Sequence, residues 1–147
     1  MTATRVHEVF IRTSPERLWA AITDPDQTEQ YLFGSRVHSS WKAGDPIVYT
    51  AGAEGPTMVE GTIVEIVPQQ ALQQTWVIQY DPALAGECSR VGYRLEPRGE
   101  NVKLTVSHDF TGAPESAAHL ERDGWSVVLS SMKSLLETGR ALALPTA

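Results

Sequence analysis

The sequence predicts an α+β fold: an antiparallel sheet of about six to seven strands curving around one long C-terminal helix, with two short helices after the first strand. Three observations predict it. Between Arg36 and Phe110 short β-branched and aromatic runs alternate with Gly/Pro turns. From Leu120 to Leu136 apolar residues recur at three- and four-residue intervals. Between these regions and the N-terminus stand two helix-start signals, Ser14-Pro15 and Asp24-Pro25.

Val6 to Arg12 reads as the first strand. Ser14 then caps a short helix with Pro15 at its first position, and Leu18, Trp19 and Ile22 lie on one helical face. Asp24-Pro25 halts that helix and caps a second one, running to about Leu32 and ended by Gly34. The strands that follow are Val37 to Trp41, Pro46 to Thr50, Met58 to Val67, Leu72 to Tyr80, Ser89 to Glu96 and Asn101 to Phe110. The turn at Pro97-Arg98-Gly99-Glu100 is a hairpin signal, and connections this short pair strands antiparallel. Pro114-Glu115-Ser116 opens the last helix, expected over residues 115 to 138 with Gly139 as its stop. Its apolar stripe has only the sheet to pack against. Gly124, inside this run, permits a bend or a close approach.

A chain of 147 residues fits one domain, 1–147, which buries roughly 68–70% of its unfolded surface without staples. Twelve Lys and Arg against eighteen Asp and Glu give a net charge of −6 with no basic cluster, which argues against nucleic acid and anionic membranes. The single cysteine, Cys88, excludes an internal disulfide. No apolar run reaches the ~18 residues of a membrane span, and Met1 to His7 lacks a signal-peptide core, so a cytoplasmic location is expected. His7, His38, His108 and His119 are dispersed, and no Gly-rich phosphate loop or nucleophile elbow is present. No metal or cofactor is therefore expected.

Five segments carry a resemblance: TSPERLWAAITDPDQTEQYLFG (Thr13 to Gly34), WKAGD (Trp41 to Asp45), GTIVEIVPQQALQQTW (Gly61 to Trp76), VKLTVSHDF (Val102 to Phe110) and GWSVVLSSMKSLLETGR (Gly124 to Arg140). Together they resemble the homologues of the C-terminal domain of the Hsp90 ATPase activator, within the START/Bet v 1-like (SRPBCC) superfamily. The resemblance covers nearly the whole chain and implies a helix-grip architecture. The superfamily includes lipid and steroid carriers, hormone receptors, aromatase/cyclase enzymes and the co-chaperone itself. Nothing before Arg5 matches the stimulatory motif of the eukaryotic activator's additional N-terminal domain, which weighs against direct Hsp90 activation.

Strand alternation assigns the faces. Val102, Leu104, Val106, His108 and Phe110 are in phase, as are Val91, Tyr93 and Leu95, and again Trp76, Ile78 and Tyr80. These faces look toward Trp125, Leu129, Met132 and Leu136 of the helix. Trp76, Ile78, Tyr93, His108, Phe110, Trp125, Leu129, Met132 and Leu136 are thus the candidate walls of an apolar cavity, and equally the makings of a filled core. His108 is either a polar group or general base at the wall, or a buried histidine satisfied by its neighbours. Tyr93 and Tyr49 carry the same two readings, and Arg36 and His38 either reach a cavity mouth or face water. The functional expectation is the binding of a small hydrophobic or aromatic molecule. Its alternatives are a co-chaperone acting on a chaperone partner and a cyclase- or hydrolase-type enzyme using His108. Edge strands in need of cover suggest a homodimer.

Overall fold

The computed structural model describes residues 4–120 and 124–143. The elements run β1 (Thr4–Ile11), α1 (Pro15–Thr23), α2 (Pro25–Tyr31), β2 (Ser35–Ser39), β3 (Pro46–Ala51), β4 (Thr57–Val67), β5 (Ala71–Ile78), β6 (Ser89–Arg98), β7 (Asn101–Asp109), α3 (Pro114–Leu120) and α4 (Trp125–Thr138). One seven-stranded sheet has the order β1-β7-β6-β5-β4-β3-β2, with every neighbouring pair antiparallel. From β2 to β7 each strand pairs with the next in sequence. The chain then closes the far edge with its first strand, β1, against its last, β7. Irregular register at Tyr49/Thr50 and Ile63/Glu65 bends the sheet.

The short helices form as their caps dictate. The Ser14 hydroxyl accepts the Arg17 N–H at 3.1 Å, and the Asp24 carboxylate accepts the Asp26 N–H at 2.9 Å, each with proline at the start of the helix. Helix α1 buries Leu18, Ala21 and Ile22. Helix α4 packs on β1, α1 and α2, while the β2 end of the sheet meets α2. Lys133 and Glu137 of α4 fasten it to the outer edge of β1, where the Lys133 ammonium donates to the Phe10 carbonyl and Glu137 accepts the Arg12 N–H at 2.9 Å. An edge strand is thereby covered along part of its length.

The alternation of β6 and β7 holds throughout: Val91, Tyr93, Leu95, Val102, Leu104, Val106, His108 and Phe110 are all buried. Two expectations change. Strand β5 ends at Ile78 rather than Tyr80. Asp81-Pro82 turns the chain there, and Tyr80 stands 43% exposed, its hydroxyl 2.8 Å from His119 Nε2.

The C-terminal helix is also not one continuous rod. Helix α3 ends at Leu120 and α4 starts afresh at Trp125, with Gly124 in a non-helical conformation (φ −72°, ψ −93°) as its N-cap; residues 121–123 lie outside the described residues. The reason is steric. A Cβ on Gly124 would sit 2.6 Å from the Leu120 carbonyl oxygen, so only glycine fits this close to it. The apolar stripe itself is intact, with Trp125, Val128, Leu129, Met132, Leu135 and Leu136 buried.

The sign of one substitution reads this break directly. Gly→Ala inside a continuous helix raises stability by about 1 kcal/mol. Gly124→Ala is expected to lower it, by about 1–3 kcal/mol for the forced overlap, as a reduced urea midpoint.

Candidate ligand cleft and its aromatic floor

One end of the sheet gathers the start of β1, the end of β7, the β5–β6 connection and helix α3. There a cleft of about 370 Å³ opens between Arg5 and His7 of β1, Ala117 and Leu120 of α3, and Phe110 and Trp125. Helix α3, one wall of the cleft, is held in place by the β5–β6 connection. The Glu87 carboxylate accepts the backbone N–H groups of Ser116 at 2.7 Å and Glu115 at 3.2 Å, and Tyr80 bonds to His119.

Trp125 forms the floor. Its ring meets Trp76 and Tyr93 with centroids 5.9 Å away and His108 at 6.1 Å, while Phe110 stacks on His108 at 3.8 Å. Trp76 in turn meets Tyr49 at 5.3 Å. Aromatic rings at these separations pack by tilted and edge-to-face contacts.

The polar groups of this cluster form two chains. In the first, the Trp125 indole N–H donates to His108 Nδ1 at 3.0 Å. An indole can only donate, so Nδ1 carries a lone pair and the neutral ring bears its proton on Nε2. That proton goes to Ser89 Oγ at 2.6 Å, and the Ser89 hydroxyl donates to the Trp76 carbonyl at 3.2 Å. Burial moves the His108 pKa down to about 3, with the Asp109 charge opposing and His7 adding a little. Protonating Nδ1 would set two donors against each other. His108 is therefore a neutral structural link between β7, β6 and α4, with both nitrogens engaged.

In the second chain the Tyr49 hydroxyl donates to Gln74 Oε1 at 3.2 Å and accepts from Tyr93. Burial pushes the Tyr49 phenol up to about 12 and that of Tyr93 well above its ordinary value, so both are neutral. Among the described residues, the buried Gln74 Nε2 and Trp76 Nε1 have no hydrogen-bond partner.

Of the side chains marked by the sequence, Phe110 and Trp125 line the cleft. Trp76, Tyr93 and His108 lie directly behind Trp125. Ile78, Leu129, Met132 and Leu136 are buried in the core that continues from there. Arg36 is on the surface, paired with Asp26 at 2.8 Å and Glu29 at 3.5 Å, and His38 bonds to Thr50 at 3.1 Å. Among the described residues no three His, Cys, Asp or Glu side chains group as metal ligands, and no helix is long and apolar enough to cross a membrane. Sequence reasoning missed Gln74 and Ser89, although strand parity placed Gln74 inward between Leu72 and Trp76. It also missed Arg5, His7, Ala117 and Leu120, which only the closure of β1 on β7 and the fold of α3 bring together.

A seven-stranded antiparallel sheet gripping a C-terminal helix, with an aromatic cleft at the helix start, defines a helix-grip α+β domain. The chain belongs to the family of Activator of Hsp90 ATPase homolog 1-like proteins, whose model matches residues 12–137. Protein MLL2253 from Mesorhizobium loti shares 25% identity and a TM-score of 0.73, over 90% of this chain and 96% of that one. DynU16, a protein in the dynemicin biosynthetic locus, has the same fold with a TM-score of 0.76 at 21% identity; the match spans 96% of this chain but 49% of that one. The Aha1 dimer from Colwellia psychrerythraea matches in fold with a TM-score of 0.69 at 18% identity, over 94% of this chain and 98% of that one. No curated protein matches the sequence.

The His108 environment fixes a pH dependence. Its folded pKa, about 3, lies below the ordinary 6.5, so between these values the unfolded chain binds the extra proton. Stability is then full above pH 6.5 and falls as the pH drops, with a limiting slope near 1.4 kcal/mol per pH unit. His108→Gln keeps an acceptor for Trp125 and a donor for Ser89. It is expected to flatten the slope between pH 6.5 and 5 in urea unfolding, leaving the smaller contribution of the half-buried His7, whose pKa burial also lowers.

Proposed function

We propose that this protein binds a small hydrophobic or aromatic molecule in the cleft between the β1–β7 end of the sheet and helices α3 and α4. The observation that carries the reading is the cleft itself. Its volume of about 370 Å³ holds a two- to three-ring molecule, and Phe110, Leu120 and Trp125 give it apolar walls. Arg5, His7 and Ser126 supply a comparable polar share of the lining, with groups to orient a bound molecule. A carrier, sensor or sequestering role is supported by His108 behind the floor, which is held neutral in a relay that ends on a backbone carbonyl.

The test is fluorescence of N-phenyl-1-naphthylamine, a neutral aromatic probe. It is expected to bind the wild type and not Ala117→Trp, which fills the cleft from α3. Because Ala117 borders open space, the urea midpoint should change little, within about 0.5 kcal/mol. A wild type that leaves the probe in water removes the reading.

A second reading, contact with a protein partner, is favoured by Val6 and Phe10, 58% and 51% exposed on the edge strand β1. The partner is a second copy of the chain or an Hsp90-type chaperone. The first is consistent with the dimer of the Colwellia psychrerythraea relative. Sedimentation is expected to show concentration-dependent association of the wild type and a monomer for Phe10→Lys. A strict monomer in both, with no stimulation of Hsp90 ATPase turnover, removes it.

A further inference from the structure

Behind the cleft floor lie hydrogen-bond donors with no acceptor. Gln74, fully buried on β5, uses its amide oxygen for Tyr49, and its amide nitrogen has no partner. The Trp76 indole N–H, two positions along the same face of β5, has none either. Tyr49 touches both side chains, its hydroxyl 3.2 Å from Gln74 and its ring 5.3 Å from that of Trp76, so the two donors share one neighbourhood. Neither is spent on the His108 relay, which uses the Trp76 carbonyl and not its indole. Buried donors are nearly always paired, because leaving one unpaired forfeits its bond to water with nothing in return. Leucine and phenylalanine would fill these positions without that cost.

The Trp125 ring lies between Trp76 and the cleft. It packs against Trp76 on one side and lines the cleft on the other. Trp125 is also the first residue of α4, and its N-cap, Gly124, makes no side-chain capping bond. The start of this helix has no side-chain cap of the kind that Ser14 and Asp24 give α1 and α2, so the bond from the Trp125 indole to His108 is what the ring gives up when it turns.

We propose that Gln74 and Trp76 are the polar anchor of the ligand site, and that they select an aromatic molecule bearing a neutral carbonyl group, which reaches them as Trp125 turns aside. This rests on the reading of the cleft as an aromatic-ligand site. The chemistry follows from the donors. An amide NH₂ and an indole N–H can only donate, and a carbonyl oxygen has two lone pairs and no proton of its own to satisfy. The rings packed against Trp76 are those of Tyr49, Trp125 and the neutral His108, and Tyr49 also bonds Gln74; none of these is a cation to balance a carboxylate.

The experiment displaces N-phenyl-1-naphthylamine with two molecules of one shape: 2-acetylnaphthalene and 2-isopropenylnaphthalene, in which C=CH₂ replaces C=O. Hydration of the two free compounds is the same in every experiment, so the readout is how their affinity ratio changes between wild type and variant. Gln74→Met and Trp76→Phe are each expected to weaken the ketone about five-fold relative to the alkene, the worth of one hydrogen bond. Should one variant fail to fold, the other carries the comparison. A ratio unchanged in the folded variants overturns the anchor, as does failure of both compounds to displace a probe that the wild type binds. A wild type that never binds the probe overturns the cleft reading itself, and the anchor with it.

Discussion

The hydrogen bond from the Trp125 indole to His108 Nδ1 joins the start of α4 to the sheet, and much else follows from it. It fixes the tautomer of His108, and through the other ring nitrogen it sets Ser89 and the Trp76 carbonyl in line. The same bond holds the indole tilted against Trp76 and edge-to-face with Tyr93 and His108, where it forms the floor of the cleft. A charged histidine could not occupy this place. Burial depresses its pKa, and the indole donor reinforces the preference by claiming the lone pair that protonation would need.

The core beneath shows a division of labour along the helix. Toward its C-terminal half α4 offers Leu129, Met132 and Leu136, which pack with the buried aliphatic residues of the sheet such as Ile78 and Leu104 and carry no polar obligations. Toward its start it offers an indole to a neighbourhood of histidine, tyrosines, serine and glutamine. Aliphatic packing is satisfied by volume alone, whereas the polar end must match each donor to an acceptor. Of the two mismatched donors, Gln74 and Trp76, the second packs against the Trp125 ring that lines the cleft. A stable interior and a site for a guest can coexist because they occupy different stretches of the same interface.

Family membership adds a frame and leaves the details to the residues. The helix-grip domain is shared with relatives at 18–25% identity, which is enough to preserve a sheet order and a helix stripe. At that distance side chains lining a cleft are free to differ, and a fold of this kind hosts many functions. Here the cleft is framed by the aromatic groups around Trp125 and by a helix α3 fastened by Glu87 and Tyr80.

The sequence by itself determined the sheet, because strand parity and turn residues are local. Alternation along β6 and β7 put eight residues from Val91 to Phe110 inside, and Ser14-Pro15 and Asp24-Pro25 placed two helix starts to the residue. Parity also marked Phe110, Trp125, Trp76, Tyr93 and His108 as neighbours in the interior. The tertiary structure decided what they do there. The pairing of Arg5 opposite His108 across β1 and β7 spans most of the chain, and no local pattern encodes which side chain ends beside which. The break at Gly124 depended on a carbonyl four residues away, a distance that helical periodicity reads as continuation. Whether His108 was a base or a link turned on one indole proton and one serine hydroxyl. Both were set by packing between elements distant in sequence, and hydrogen bonds of that kind exist only once the chain has folded.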